Sequence, residues 1–237
     1  MKIIITMAGE SSRFKKSGYK LPKYKLLCHN KTLFTWSLQS LEKWFTSAEF
    51  VFVLRQDEDF VQQQCHQLGI ERYSCVKINH FTSGQAETAL FALTTKDESI
   101  AIYNIDTYVK DLAAIEIEEG VDGMIPVFSA EGTHWSFTKS DAQNKVIEIA
   151  EKRRISEWAT VGLYYFASSN DYKEYYNVTY SNLSSVEKYI APIYETMIRS
   201  GKLIKDVKIP SQNVIPLGTP AEVTVFDKAF SEVNLNR

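Results

Sequence analysis

The segment KIIITMAGESSRF, Lys2–Phe14, joins an apolar run to a turn of small and charged residues. The run KIIIT is rich in β-branched residues and lacks polar alternation, which predicts a strand buried on both faces of a parallel sheet. The turn offers Gly9, two serines and Arg13, and Lys23 follows soon after. Free backbone N–H groups with cations close by bind anions. The segment therefore predicts a core strand that opens into a phosphate site.

Further apolar runs alternate with helical patterns along the chain. The predicted strands are KIIITM (2–7), EFVFVL (49–54), SCVKI (74–78), SIAIYNI (99–105), GMIPVFS (123–129) and TVGLYYF (160–166). The predicted helices are LFTWSLQSLEKWF (33–45), DEDFVQQQCHQLG (57–69) and GQAETALFALT (84–94). Strand, helix and strand in succession imply right-handed crossovers and a mostly parallel sheet with helices on both faces. We expect a three-layer α/β/α fold.

The pattern changes after Val121 to short runs and one long helical stretch. WSFTKSD (135–141) and KVIEIAEK (145–152) predict antiparallel additions to the sheet, and VEKYIAPIYETMIRSG (186–201) predicts a helix. No linker rich in Pro, Gly or Ser separates the halves. We expect a mixed sheet in one domain, 1–237, with a first half of about 1–120 and a second half of about 121–237.

Composition excludes several classes of function. The 27 Lys and Arg against 29 Asp and Glu give no positive excess for a nucleic acid partner, and no apolar run approaches a membrane span. The odd number of cysteines, without metal-type spacing or a signal peptide, predicts buried reduced thiols in a cytoplasmic protein. The histidines are equally scattered and predict no ligand set. The cysteines are Cys28, Cys65 and Cys75, and the histidines are His29, His66, His80 and His134.

Polar residues follow several predicted strands, where an open parallel sheet binds its ligands. AGESSR follows the first strand, SGQAE the third, and NIDT ends the fourth. Gln85 can donate to and accept from a base edge, and Asp106 suits a hard cation. Each residue also has an ordinary explanation: a tight turn at Gly9, solvated charges at Arg13 and Lys23, and a cap at Asp106.

In chain order, these segments resemble the sugar-phosphate nucleotidyltransferases. MAGESSRF with SGYKLPKYKL is similar to the AGGxGxR…PK fingerprint, GQAETAL to the base-reading segment and NIDT to the metal-binding segment. EIAEKRRIS is similar to the EKP region, VGLYYF to the sugar-site strand and LGTPAEV to the D-[ILV]-G-T element. The resemblance implies a Rossmann-like fold of the nucleotide-diphospho-sugar transferase type. It also implies an enzyme that uses Mg²⁺ to join a nucleoside triphosphate to a phosphorylated small-molecule acceptor, with release of pyrophosphate.

The resemblance further implies a role for each matched residue. Arg13 and Lys23 would be catalytic, and Asp106 would hold Mg²⁺. The nucleotide would contact Ala8, Gly9, Glu10, Ser11, Ser12, Arg13, Lys23, Gly84, Gln85, Asn104 and Asp106. The acceptor would contact Glu151, Lys152, Gly162 and Glu187.

Two residues depart from the family's pattern. Ser11 replaces a glycine, and because serine tolerates a positive φ poorly, a slightly different loop is expected. Pro216 replaces an acid that would be the second metal ligand. Proline cannot coordinate a cation through its side chain, so this ligand is missing. Either Asp106, phosphates and water hold the cation, or another acid such as Glu187 substitutes.

The substrates stay open at this point. The segments GYKLPKY, GQAETAL, NIDT and EKYIAPIY resemble the small single-domain branch linked to capsule or surface polysaccharide assembly. The hexapeptide repeats of the branch with a C-terminal β-helix are absent. Some members of that branch use CTP with headgroups such as phosphocholine or phosphoglutamine, and others use a sugar 1-phosphate. The departures also allow a non-catalytic nucleotide-binding sensor. A homodimer is kept as a candidate assembly.

Overall fold

The computed structural model describes residues 1–112, 115–181 and 187–235. The strands in these ranges are β1 (Lys2–Thr6), β2 (Leu27–Cys28), β3 (Lys31–Thr32), β4 (Glu49–Leu54), β5 (Tyr73–Lys77), β6 (Ile100–Asn104), β7 (Thr107–Val109), β8 (Gly123–Ser129), β9 (Ser136–Ser140), β10 (Val146–Glu151), β11 (Trp158–Thr160), β12 (Leu163–Phe166), β13 (Ile204–Lys208) and β14 (Val214–Pro216). The α-helices are α1 (Ser12–Lys16), α2 (Leu33–Gln39), α3 (Glu58–Leu68), α4 (Gln85–Leu90), α5 (Ser169–Tyr180), α6 (Ala191–Arg199), α7 (Pro220–Phe226) and α8 (Phe230–Leu235).

A ten-stranded sheet runs through both halves of the chain. Its order is β10-β9-β11-β8-β12-β6-β1-β4-β5, and β13 also pairs with β8. The strands β6, β1, β4 and β5 pair in parallel and form the core of the sheet. β1 lies at the centre of this group, where Ile4 aligns with Val51 of β4 and Ile102 of β6. The mixed sheet with a mostly parallel core confirms the predicted fold class.

The second half adds antiparallel strands, as the sequence predicts. β12 pairs antiparallel with β6, and β8 pairs antiparallel with β12. Because β12 runs opposite to both β6 and β8, the strands β6 and β8 run in the same direction and end at the same edge of the sheet. Loops that follow β1, β5, β6 and β8 therefore meet at one edge.

Apolar clusters on both faces of the sheet make the three layers. Ile3 and Ile5 of β1 belong to one buried cluster and Ile4 to the other, because alternate side chains of a strand point to opposite faces. α2 and α3 contribute to the first cluster, and α4, α5 and α6 contribute to the second. Tyr172 and Tyr176 of α5 are core residues of the second cluster.

A smaller cluster joins the two ends of the chain. Phe14 and Leu26 pack there with Val223 of α7 and Phe230 of α8. The Asn234 side chain accepts a hydrogen bond from the Leu27 N–H (2.8 Å) and donates to the Leu27 carbonyl (2.7 Å). The last helices are therefore fixed against the β2–β3 hairpin.

One predicted strand is wrong. The run 160–166 is two strands, β11 and β12, separated by Val161 and Gly162. Gly162 has a φ of +87°, which is incompatible with a continuous strand and unfavourable for residues other than glycine. The apolar run is continuous because both strands are buried, so its composition does not reveal the break.

Three predicted helices are shorter than their patterns. The helix predicted over 33–45 ends at Gln39, and Glu42–Trp44 of the same run forms a separate 3-10 turn. The helix predicted over 84–94 ends at Leu90. The helix predicted over 186–201 begins at Ala191, next to a proline in its first turn, and residue 186 lies outside the described ranges. Among the described helices, none has the length and apolar character to cross a membrane.

Candidate active site

A cleft of about 730 Å³ opens at the edge of the sheet where β1, β6 and β8 end. Its walls come from the loop after β1, the segment that leads into α4, the β6–β7 turn and the loop after β8. Every site residue predicted from the sequence lines this cleft. They are Ala8, Gly9, Glu10, Ser11, Ser12, Arg13, Lys23, Gly84, Gln85, Asn104, Asp106, Glu151, Lys152, Gly162 and Glu187.

The loop after β1 keeps a left-handed residue at the position where the family has glycine. Ser11 has φ 56° and ψ 34°, and its hydroxyl accepts a hydrogen bond from the Lys23 N–H (3.2 Å). A non-glycine residue in this region costs about 1 kcal/mol. The hydrogen bond to Lys23 opposes that cost and connects the loop to the segment that carries the lysine. Ser11 thus adopts the positive φ that serine was expected to avoid.

Lys23 and Asp106 form an ion pair inside the cleft. The Lys23 ammonium donates to Asp106 Oδ2 at 3.2 Å, and the two side chains are 19% and 31% exposed. Asp106 lies in the turn between β6 and β7, and its carbonyl accepts from the Leu217 N–H at 2.7 Å. A charged pair with this exposure can exchange its partners for phosphate oxygens and a cation, because water screens both groups.

Two glycines position Gln85 and Asn104. A Cβ on Gly162 would lie 2.6 Å from Asn104 Nδ2, so only glycine lets this side chain reach the cleft. Asn104 Oδ1 accepts from Gln85 Nε2, which orients the Gln85 amide. A Cβ on Gly84 would lie 2.5 Å from the Lys188 carbonyl oxygen. The backbone of Lys188 therefore leaves no room for a side chain at position 84.

The far side of the cleft is acidic and aromatic. Burial raises the pKa of Glu151 even though the Ser136 hydroxyl donates to it. Lys152 donates to the Tyr189 hydroxyl, which in turn donates to Glu187. The Lys152 ammonium also lies 4.3 Å from the centre of the Tyr189 ring, a cation–π distance. This chain of contacts links the end of β10 to the segment before α6.

Glu222 is a cleft residue that the sequence analysis missed. A Cβ on Gly218 would lie 3.4 Å from Glu222 Oε2, 3.6 Å from Arg13 Nη1 and 3.7 Å from Asp106 Oδ2. Glu222 and Asp106 therefore both approach Gly218, whereas Glu187 contacts Tyr189 and Lys152.

A capping pattern in the sequence could have drawn attention to Glu222. The segment TPAE, 219–222, is a capping box, and the Thr219 hydroxyl accepts from the Glu222 N–H at 3.2 Å. This pattern marks a helix start directly after the LGT element. Other cleft residues that sequence reasoning did not select are Thr82, Ser83, His134, Trp135, Tyr164 and Tyr189.

The fold and sequence are similar to those of a solved nucleoside-diphosphate-sugar pyrophosphorylase from Vibrio cholerae RC9. The two chains share 37% identity over 95% of this chain and 99% of that one, with a TM-score of 0.87. The chain belongs to the sugar-phosphate nucleotidyltransferase family. The predicted family and the prediction of a nucleotidyltransferase enzyme are confirmed.

More distant nucleotidyltransferases share the fold of the chain. An inositol-1-phosphate CTP transferase from T. maritima has 16% identity and a TM-score of 0.76 over 98% of this chain and 95% of that one. A UDP-glucose pyrophosphorylase solved with UDP-glucose has 13% identity and a TM-score of 0.76 over 98% of each chain. No family model and no curated protein matches the sequence.

Proposed function

We propose that this nucleotidyltransferase transfers a nucleoside monophosphate from a nucleoside triphosphate to a phosphorylated sugar or small headgroup. An oxygen of the acceptor phosphate attacks the α-phosphorus, the bond from that phosphorus to the bridging oxygen breaks, and pyrophosphate leaves in line. The proposal rests on one observation: Arg13, Lys23, Gln85 and Asp106 line the same cleft.

The chain's own residues account for most of this reaction. The nucleophile is already an anionic oxygen, so little proton transfer is needed, and catalysis depends on alignment and charge neutralisation. We assign the N–H groups of residues 8–12 and the Arg13 guanidinium to the triphosphate. We assign Lys23 to the phosphates of both substrates, which requires its ammonium to leave Asp106 when they bind.

The donor groups around Gly218 fit Mg²⁺. Two carboxylates, Asp106 and Glu222, approach the space that a Cβ on Gly218 would fill, and carboxylate oxygens are the ligands that Mg²⁺ prefers. We propose that both hold the ion, so that Glu222 takes the place of the acid missing at Pro216. When bound, Mg²⁺ would neutralise negative charge on the phosphates.

Residues of the first half support the proposed nucleotide site. The amide of Gln85 is oriented by Asn104, which leaves its carbonyl oxygen and second N–H for a base edge. Residues of about 1–120 would thus bind the nucleotide, and those of about 121–237 would bind the acceptor. The continuous ten-stranded sheet supports the proposal of a single domain.

The far side of the cleft favours a second candidate acceptor. Glu151 and Glu187 lie there with Trp135 and Tyr189, and Lys152 is already paired with Glu187 at 3.8 Å. Carboxylates and aromatic rings bind sugar hydroxyls, and they also bind organic cations. A CTP-dependent enzyme that acts on a phosphocholine- or phosphoglutamine-type acceptor is therefore the alternative to a sugar-phosphate enzyme.

The wider setting is part of the same proposal and derives from the resemblance of the motifs. We propose a cytoplasmic step in surface or capsular polysaccharide assembly, with a homodimer as the assembly to test by sedimentation.

Pyrophosphate release tests the proposal directly. The protein is incubated with Mg²⁺ and each of CTP, UTP, dTTP and GTP, in combination with sugar 1-phosphates, phosphocholine and phosphoglutamine. We expect release from one triphosphate only when a phosphorylated acceptor is present. Nucleotide binding without turnover across the panel would overturn the proposal.

A further inference from the structure

Cys28, His29 and Asp227 bring a sulfur, a nitrogen and an oxygen to one point outside the residues that line the cleft. The ligand atoms of these side chains all lie within 4.8 Å of one another. Cys28 ends β2, His29 begins the turn to β3, and Asp227 follows α7. The sequence analysis found no ligand spacing because Asp227 is far from the other two residues along the chain.

The β2–β3 turn holds the histidine in place. His29 and Asn30 have φ values of 46° and 62°, so they form a two-residue turn with both positions left-handed. The His29 N–H donates to Asp227 Oδ2 at 2.6 Å, which fixes the turn against the end of α7. The ring is therefore positioned by the backbone before any ligand binds.

A hydrogen bond fixes which ring nitrogen of His29 carries the proton. Nε2 lies 2.8 Å from the Phe226 carbonyl oxygen, and because a carbonyl can only accept, Nε2 must donate. In the neutral ring, Nδ1 then holds the lone pair, and it lies 4.0 Å from Asp227 Oδ2. Histidines that bind metals are oriented in the same way, with the other ring N–H on a carbonyl or carboxylate.

The other two ligands are also oriented. Asp227 is 8% exposed, and its Oδ1 accepts from the Ala229 N–H at 3.0 Å, so each carboxylate oxygen keeps a lone pair to offer. Cys28 is fully buried, and its sulfur lies within 4.8 Å of the Asp227 carboxylate.

We propose that Cys28, His29 and Asp227 form a binding site for a divalent transition metal, with Zn²⁺ as the ion that best suits the donors. A mixed set of thiolate, imidazole and carboxylate is typical of zinc sites. Ligands at about 2.0–2.3 Å from a tetrahedral ion lie about 3.3–3.8 Å apart, so contraction of about 1 Å completes the geometry. The His29 side chain is 50% exposed, which gives a water molecule access to the fourth position.

The binding step exchanges one proton for one metal ion. The Cys28 S–H bond breaks, its proton passes to solvent, and the thiolate forms the bond to the metal, with no change of oxidation state. The ion would connect the β2–β3 turn to the end of α7, the helix that carries Glu222 into the cleft. This inference is independent of the proposed reaction.

Cobalt titration tests the site. The full chain is treated with a chelator, desalted and titrated with Co²⁺, whose bonds to a thiolate absorb in the near ultraviolet. We expect this absorption to saturate at one ion per chain and to disappear when Zn²⁺ is added. Competition with a chromophoric chelator then measures the Zn²⁺ affinity. His29→Gln should weaken it by more than about tenfold, and Cys28→Ser should abolish the charge-transfer absorption.

The chain offers a matched control. α3 carries the same dipeptide, Cys65–His66, with Cys65 buried and His66 exposed, and this pair belongs to no such cluster within the described residues. Cys65→Ser and His66→Gln should leave the titration unchanged. An absent thiolate band, or equal losses in the two pairs of variants, would overturn the site. If Cys28→Ser does not fold, the half-exposed His29→Gln still decides the outcome. Pyrophosphate release with Mg²⁺ is measured separately on the chelator-treated protein. Failure of that reaction alone would count against the proposed function and not against the metal site.

Discussion

Lys23→Ala removes a positive charge from the cleft and leaves the apolar core intact. Lys23 lies in a short helical turn, Lys23–Lys25, and is held there by its N–H bond to Ser11 and its ion pair with Asp106. Substitution by alanine keeps the backbone bond and deletes only the ammonium with its stem. The change therefore separates the role of the charge in catalysis from its role in folding.

The two effects differ in size. A partly exposed ion pair contributes about 0.2–1 kcal/mol to stability, so the unfolding midpoint should move little. A charged donor aimed at charge that develops in the transition state contributes about 2.7–4 kcal/mol, which is about 10²–10³ in rate. We therefore expect kcat/KM for pyrophosphate release to fall by about 10²–10³, while the free energy of unfolding falls by less than about 1 kcal/mol.

A neighbouring lysine provides the control. Lys25 forms an ion pair with Asp57 at 2.5 Å, its side chain is 26% exposed against 19% for Lys23, and it does not line the cleft. Lys25→Ala should change stability by a similar amount and leave kcat/KM within about threefold of the parent, since it touches no substrate. Equal losses of kcat/KM in the two variants, or an unchanged value in Lys23→Ala, would refute the assignment of Lys23 to the phosphates.

Three further variants test other parts of the structure. Gly84→Ala should destabilise the protein by about 1–3 kcal/mol, because its Cβ would collide with a backbone carbonyl. Gly9→Ala is the control, because its Cβ would meet open space, and it should shift the free energy of unfolding by less than about 1 kcal/mol. Chemical denaturation measures both variants. Gln85→Ala should change the preference among the four triphosphates at nearly constant stability, and an unchanged preference would contradict its role at the base. Burial raises the pKa of Glu151, so its ionisation as pH rises costs native stability, and Glu151→Gln should stabilise the protein more at about pH 7 than at about pH 4. Glu157→Gln is the matched control, because Glu157 is exposed and also accepts a hydrogen bond from a serine hydroxyl.

The sequence predicts the parts of the fold that depend on local pattern. β4 and β8 have the bounds that their apolar runs indicate, and α3 ends at Leu68 with Gly69 as its left-handed C-cap, as the glycine suggests. These elements combine a continuous apolar face with an unambiguous stop signal. The break at Gly162 was missed because the residues on both sides of it are apolar and buried. The positive φ that separates the two strands leaves no trace in the hydrophobic pattern.

The site was predictable where one short segment carries several polar groups. The loop after β1 and the residue Asp106 follow buried strands, so strand direction alone brings them to one edge. Glu222 depends instead on the path of the chain after β14, where the N–H of Leu217 bonds to the Asp106 carbonyl. That contact joins residues far apart in sequence, and the pattern of a single chain does not encode it locally.

The pairing of the two chain ends has a consequence for how the enzyme is made. β1 is enclosed by β4 and β6, and α8 holds the β2–β3 hairpin through Asn234. During synthesis on the ribosome, the loop after β1 emerges long before Gly218 and Glu222, which lie near Arg13 of that loop in the folded protein. A chain terminated within α7 would lack α8 and the Asn234 bonds to the hairpin, so we expect it to leave the cleft incomplete.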